Sequence, residues 1–503
     1  MPTLQAITLQ TRQALAPSPF LDPTLLGAGR AVLDLLPRDP ETCAELAYQQ
    51  LHAVPFREVK TCWRRAYTDA VLHQVLGVVE KEIRAVSRDW VGEVVKLLDM
   101  ALILTGGAGR EELIEEWFST LEGVLSSSSG NGREGVYARG CAGGQKEPSR
   151  ETERPAKRRK VDLHPSSGLP ETLPDTITRE PALKYPICRA GNLSLSDFQA
   201  KVANPASQTP LIIEGAIEHW PAFGEDRAWK KPSYLLRKMI NGRRLVPVEI
   251  GRSYTDAGWG QKILSFKQFM DEYMLSTPAP QNHTSPSING DHAAPKPDVP
   301  TKHEEKAKGY LAQHDLFAQI RSLRADIAIP DYCYTFPAPQ LANPANVKHV
   351  EELEEPLLNA WFGPADTISP LHTDPYHNIL AQVVGYKYVR LYAPEETPKM
   401  YPRGMEGDGV DMSNTSRVDL DEAMGVWGEV SCWTDEGESG GRDEDRDGYG
   451  GRENSVEEKY SKFREARYVE GVLGPGECLY IPTGWWHYVR SLTPSFSVSF
   501  WWN

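Results

Sequence analysis

Within residues 361–392, WFGPADTISPLHTDPYHNILAQVVGYKYVRLY, a histidine and an aspartate stand two positions apart, His372-Thr-Asp374, in a stretch that reads as strand. Alternate residues of a β-strand project to the same face, so these two side chains reach one point together. That pattern constrains the fold, because a third group has to be brought to the same point by a distant strand. The C-terminal part of the chain offers one. Residues 474–482 (GPGECLYIP) read as a turn and a strand, Thr483-Gly-Trp-Trp-His487 brings a histidine into a following strand, and residues 495–501 (SFSVSFW) alternate as its neighbour.

Two imidazoles and a carboxylate converging in this way form a facial triad. Such a set holds Fe(II) and leaves coordination positions open, as in non-haem iron oxygenases. Each residue alone has a plainer reading: His372 as a hydrogen-bonded core histidine, and Asp374, before Pro375, as the start of a turn. The joint pattern outweighs both. His377, close by in sequence, is expected to stand outside the ligand set.

At 503 residues the chain has room for two or three domains and at least one sizeable core. A net charge of −14 argues against binding nucleic acid through global charge, and no direct nucleic-acid partner is expected. The 7 cysteines are scattered with no CxxC pair, which reads as reduced intracellular thiols. The first twenty residues lack a signal peptide's basic start and apolar core, and no stretch approaches the roughly 18 apolar residues of a membrane span. The expectation is a soluble intracellular protein without a membrane partner.

Residues 1–126 are expected to form an all-α domain, with apolar residues at helical spacing over 25–36, 40–54, 59–81, 89–104 and 110–125. No ligand-like clusters occur there, so its role reads as packing, homodimerisation or docking of a partner. Residues 127–180 change to Ser, Gly, Arg, Glu and Pro, the composition of a linker that cannot bury enough surface to order itself. Within it, Arg154-Pro-Ala-Lys-Arg-Arg-Lys160 is a compact basic run that suits a nuclear localisation signal. From 181 onward the chain is mixed: strand-like at 186–189, 210–216 and 244–250, with helices over 194–202, capped by Ser194, and near 233–240. Inserts at 276–307 and 403–460, rich in polar residues and Gly, Asp and Glu, read as surface excursions with little packed structure.

Five segments, GYLAQH (309–314), IPDYC (329–333), NAWFGP (359–364), TISPLH (367–372) and FSVSFWW (496–502), resemble the JmjC oxygenases. More narrowly they resemble the group of jumonji-domain-containing protein five, or lysine demethylase eight. The likeness covers roughly residues 181–503 and is looser over the helical part. It implies an α+β fold, a double-stranded β-helix (a jelly-roll, cupin-like JmjC barrel) with flanking helices.

The resemblance also implies a ligand set. His372, Asp374 and His487 take Fe(II) as the catalytic metal, and 2-oxoglutarate and dioxygen are cosubstrates. Lys387 pairs with the far carboxylate of 2-oxoglutarate, which fits the need of a dianion inside a barrel for a fixed cation. Tyr310, Ser369 and Asn378 hydrogen-bond the cosubstrate, and Trp361 and Trp501 wall the cavity. Glu249, Tyr254, Trp259 and Gln313 line the substrate pocket, where a carboxylate at 249 suits the planar fork of a guanidinium.

Decarboxylation of 2-oxoglutarate to succinate is then coupled to hydroxylation of a C–H bond, or to demethylation when that carbon is an N-methyl group. The expected substrate is a protein or peptide side chain, with arginine C-3 hydroxylation favoured over demethylation of methyl-lysine on a histone tail. The expected compartment is the nucleus, with the cytoplasm second. The competing classes are a catalytically silent cupin-like scaffold for nuclear partners and a metal-dependent isomerase, which usually shows more histidines and lacks the lysine.

Overall fold

The computed structural model describes residues 2–16, 23–82, 89–130, 168–256, 258–275, 307–338, 347–406, 409–433 and 456–503. They fall into two compact units, Met1–Pro170 and Glu171–Asn503.

The first unit is helical: α1 (Leu4–Leu15), α2 (Pro23–Leu26), α3 (Arg30–Leu35), α4 (Pro40–His52), α5 (Thr61–Glu82), α6 (Trp90–Thr105) and α7 (Glu111–Gly130). Its boundaries follow capping chemistry. Asp39 caps α4, which has Pro40 in its first turn, and Asp89 caps α6 by accepting from the Gly92 N–H. Gly106, left-handed at φ 69°, ends α6. The single helix expected over 25–36 is two, because the chain breaks at Gly27-Ala-Gly29, where Gly29 takes φ 96°. Helix α1 carries no strong apolar stripe in its sequence, yet it is held by buried Ile7 and by Thr11, which accepts from the Trp117 indole at 2.8 Å. At the centre, Asp69 is shared by Arg65 at 3.2 Å and Arg110 at 2.9 Å, all largely buried.

Two short helices of the second unit, α8 (Leu195–Val202) and α9 (Pro232–Lys238), match the expected positions. Its strands are β1 (Arg189–Gly191), β2 (Leu211–Glu214), β3 (Leu245–Ile250), β4 (Gly260–Ser265), β5 (Gly309–His314), β6 (Leu357–Gly363), β7 (Ile368–His372), β8 (His377–Val384), β9 (Lys387–Tyr392), β10 (Tyr468–Leu473), β11 (Cys478–Ile481), β12 (Trp486–Ser491) and β13 (Ser495–Trp502). Among the described residues they build a large sheet in the order β1-β2-β11-β8-β13-β6-β5-β3-β4 and a small one in the order β10-β9-β12-β7. Between the sheets, Leu380, Leu479 and Ile481 of the large one meet Val389, Leu391 and Val489 of the small one. The other face of the large sheet is covered by helices and loops bearing Phe198, Trp229, Phe266 and Phe317. Strands β8, β9 and β13 are therefore buried along their whole length, including polar residues such as Gln382, Lys387, Arg390 and Ser497.

The other face of the small sheet overturns one expectation. The insert at 403–460 reads from its composition as a loose excursion, yet Val418, Leu420, Met424, Trp427 and Val430 pack against Tyr388, Tyr392, Trp486 and Tyr488. A helix, Leu420–Val426, forms there with Asp419 as its cap. Beneath it the buried Arg390 bonds Glu470 at 2.9 Å, the Tyr388 hydroxyl at 2.7 Å and the Val430 carbonyl at 2.8 Å. Ahead of the barrel, Leu173 is in the core and Ile177 packs on the small-sheet layer, so the chain joins this unit before the mixed region begins at 181. The basic run at 154–160, residues 276–306 of the first insert and the Asp/Glu/Gly-rich 434–455 lie outside the described residues. No helix among the described residues is long and apolar enough to cross a membrane.

The turn between β8 and β9 sets the register of a chemically important strand. Gly385 lies in it at φ 71°, and a Cβ there would be 2.1 Å from the Pro494 carbonyl oxygen. Only glycine fits, and the turn fixes Lys387 as the first residue of β9.

Candidate active site

Strand β7 ends on His372, because the Asp374-Pro375 peptide cannot continue a ladder. Strand β12 runs antiparallel to it with His487 directly opposite His372, and the two rings lie 4.1 Å apart. Asp374 completes the group: its Oδ2 is 3.5 Å from His487 Nε2 and its Oδ1 is 3.9 Å from His372 Nε2. One ligand atom from each residue lies within 4.8 Å of the others. Each ring is oriented from behind, since His372 Nδ1 donates to the Pro370 carbonyl at 2.7 Å and His487 Nδ1 to the Trp485 carbonyl at 3.0 Å. Both Nε2 atoms then present a lone pair towards the carboxylate, the arrangement a divalent metal needs.

Electrostatics agree. Burial, aided by the neighbouring His487, holds the His372 imidazole down to about 4, so it is neutral near pH 7. Burial opposes ionisation of Asp374, but the two imidazoles outweigh it and keep the carboxyl below its usual range. His377 stands apart from this group: it is buried and bonded to the Tyr480 hydroxyl at 3.0 Å.

Behind the triad is a narrow chamber lined by Tyr310, Trp361, Ser369, Asn378 and Lys387 together with Leu380, Ile481 and Val489. Lys387 lies four positions along β9 from Leu391, the residue that faces His487, or roughly 13 Å of strand. Its ammonium is buried, with the Tyr310 hydroxyl at 3.2 Å as its hydrogen-bond partner and no carboxylate bonded to it among the described residues. Burial brings its pKa down to about 7. The Asn378 Oδ1 is also buried and has no partner. Trp361 is fixed by its indole N–H donating to Ser499 at 3.0 Å.

Trp501 departs from expectation. It borders neither this chamber nor the outer one, and instead stacks on Tyr376 with ring centroids 5.7 Å apart. Two residues beyond Ser499 on the same face of β13, it sits past the end of the cavity.

In front of the triad opens a cavity of about 540 Å³, which Glu249, Tyr254, Trp259 and Gln313 line together with Tyr310, Trp361, His372 and Asp374. The Trp259 indole donates to Glu249 Oε2 at 3.3 Å, and no basic side chain among the described residues is paired with that carboxylate. Burial raises its pKa. Sequence reasoning missed a second wall, formed by Glu406, Val410, Met412, Asn414 and Thr415 of the insert. Its only sequence signal was the apolar series at 418–430, which implies that this part of the insert returns to the barrel.

Comparison with known proteins agrees with this geometry. The family described as "Cupin-like domain" matches residues 196–503, and "KDM8-like, N-terminal ARM repeats" matches 32–127. The chain is 30% identical to "Lysine-specific demethylase 8" of Xenopus tropicalis over 92% of this chain and 88% of the relative. It is 32% identical to the Danio rerio protein of the same name (91% and 86%) and 32% identical to "Lysine-specific demethylase JMJ30" of Arabidopsis thaliana (92% and 85%). The chain belongs to the JmjC oxygenases of the lysine-specific demethylase 8 group.

As a member it is a 2-oxoglutarate-dependent oxygenase with a cupin-like JmjC domain, and its N-terminal helices are ARM repeats. JmjC oxygenases generally depend on Fe(II) and 2-oxoglutarate, and the residues present fit both groups. The triad offers two nitrogens and one oxygen from one side of a single point. The chamber behind it holds a buried cation without a counter-charge and an unpartnered amide oxygen, both of which a dicarboxylate and its hydrogen-bond network would satisfy.

Proposed function

We propose that His372, Asp374 and His487 hold Fe(II), that Lys387, Tyr310, Ser369 and Asn378 hold 2-oxoglutarate, and that the enzyme hydroxylates an arginine side chain of a protein at C-3. When bound, iron and 2-oxoglutarate supply the oxidation: dioxygen is consumed, succinate and carbon dioxide form, and one oxygen atom enters a C–H bond. The protein's own residues bind, orient and exclude water. Lys387 and Tyr310 take the far carboxylate, the Nδ1–carbonyl bonds keep both Nε2 lone pairs aimed at the metal, and Trp361 closes the chamber wall.

The observation that carries the arginine reading is Glu249. A largely buried carboxylate without a cation, in the wall of the cavity that faces the triad, is an incomplete ion pair. A guanidinium completes it with two parallel hydrogen bonds, and Tyr254 and Trp259 offer aromatic faces on which its plane can stack.

A second reading, demethylation of methyl-lysine on a histone tail, is supported by the names of the demethylase relatives and by the aromatic side chains Tyr254, Trp259, Tyr310 and Trp361 around the same cavity. Its setting would be the nucleus, which the basic run at 154–160 also suits. Incubating the purified protein with Fe(II), 2-oxoglutarate and either arginine peptides or methyl-lysine histone peptides separates the two by mass spectrometry. Gain of one oxygen on arginine is expected. Loss of a methyl group alone would move the assignment to demethylation, and absence of succinate in every reaction would leave a scaffold.

A further inference from the structure

The small sheet ends on β7, the strand that leads into two of the three proposed ligands. An edge strand has a free row of N–H and C=O groups on its outer side and is the part of a sheet most easily deformed. Here that side is covered. Thr415 of the insert bridges His372 in antiparallel fashion, Ser416 N–H donates to the Leu371 carbonyl at 2.9 Å, and Thr373 N–H donates to the Asn414 carbonyl at 2.9 Å. The backbone on both sides of His372 is thus bonded to the insert.

Beyond Thr373 the chain turns at Asp374-Pro375 and a further ladder bond cannot form. The Asn414 side chain takes its place, its Nδ2 donating to the Thr373 carbonyl at 3.1 Å. The amide is held the right way round by the Thr415 hydroxyl, which donates to Asn414 Oδ1 at 3.3 Å. The Thr415 side chain also interacts with the Tyr254 hydroxyl in the wall of the outer cavity. Thr415 and Asn414, which line the substrate cavity, are thus hydrogen-bonded in series to the peptide that joins His372 to Asp374.

We propose that residues 414–416 act as a cover bonded to the edge of β7 and that Asn414, its amide held by Thr415, is a positioning residue for the metal-binding pair His372 and Asp374. This rests on the assignment of the triad as a metal site. Asn414 makes no contact with the metal point; it fixes the peptide from which two ligands project, and outer-shell partners of this kind affect metal affinity by about 10–100-fold.

The test is titration of the full-length protein with Co(II), followed by visible absorption, beside thermal melting of the metal-free protein. Wild type should bind, and His487→Ala should not; if wild type does not bind Co(II), the metal-site assignment fails and this inference with it. Asn414→Asp, which keeps the shape but loses the Nδ2 donor, should bind about 10–100-fold more weakly with a changed absorption band, at an unchanged metal-free melting temperature. Thr415→Val, which frees the amide to rotate, should shift in the same direction by less, and it decides the matter if Asn414→Asp does not fold. Arg417→Ala, on an exposed side chain of the same insert, is the control and should match wild type. Wild-type affinity and spectrum in Asn414→Asp and Thr415→Val would overturn the proposal. So would a loss of affinity that only tracks a lower melting temperature.

Discussion

Lys387 is an ammonium enclosed with one hydroxyl partner, and its charge costs free energy until an anion arrives. Between pH 7 and 10.5 the unfolded chain carries this proton and the ligand-free native state does not, so the ligand-free protein gains stability as pH rises through that window and bears the full burial cost below it. A bound dicarboxylate restores the charge. Affinity for 2-oxoglutarate, measured calorimetrically with Mn(II) in place of iron, should therefore fall by about tenfold per pH unit above pH 7, with proton uptake on binding. Lys387→Met should abolish both the tight binding and its pH dependence. At Glu249, replacement by Gln should raise KM for an arginine peptide by about 10–100-fold, while peptide-independent succinate formation stays near wild type. The pair His372 and Asp374 stood out in the sequence because spacing along a strand fixes which side chains share a face, whereas Lys387 was implied by the resemblance to the JmjC oxygenases. Trp501 was misplaced because the same alternation does not tell how far along the strand the cavity reaches. Asn414 had no signature at all, since its role is a hydrogen bond to a peptide forty-one positions away.

Elements with their own caps were readable to within a few residues. Ser194 marks a helix start in the sequence as it does in the fold, and the helices expected from 40 and 89 begin where Asp39 and Asp89 cap them. Helix α1 escaped notice because it is held by a few contacts from α7 and not by an apolar stripe of its own. The insert escaped for a different reason: averaged over 403–460, its Gly, Asp and Glu content hides the apolar series that packs behind β9 and β12. The anchor of that layer is Arg390 with Glu470, both fully buried. Glu470→Ala leaves an uncompensated guanidinium in the core and should cost about 3–5 kcal/mol, read by urea unfolding of the barrel. Replacing Arg390 and Glu470 together with methionines should cost less than the single change, because the unpaired charge is then gone.

At the scale of the molecule, each unit has its own core, so scanning calorimetry should resolve separate transitions. Adding Mn(II) with 2-oxoglutarate should raise the barrel's transition and leave the ARM-repeat transition in place, because a ligand stabilises only the unit that holds it. A single transition that moves as a whole would contradict this. The order of the large sheet has a further consequence for how the enzyme comes into being. The last of the described strands, β13, lies in the middle, bonded to β8 on one side and β6 on the other. A ribosome delivers β6 and β8 more than a hundred residues before the segment that belongs between them. The barrel cannot close from its leading end as it is made, and His487 emerges only just ahead of that segment. Premature termination before His487 therefore yields a chain with unjoined sheet edges and an incomplete metal grip, and such a product is expected to be inactive.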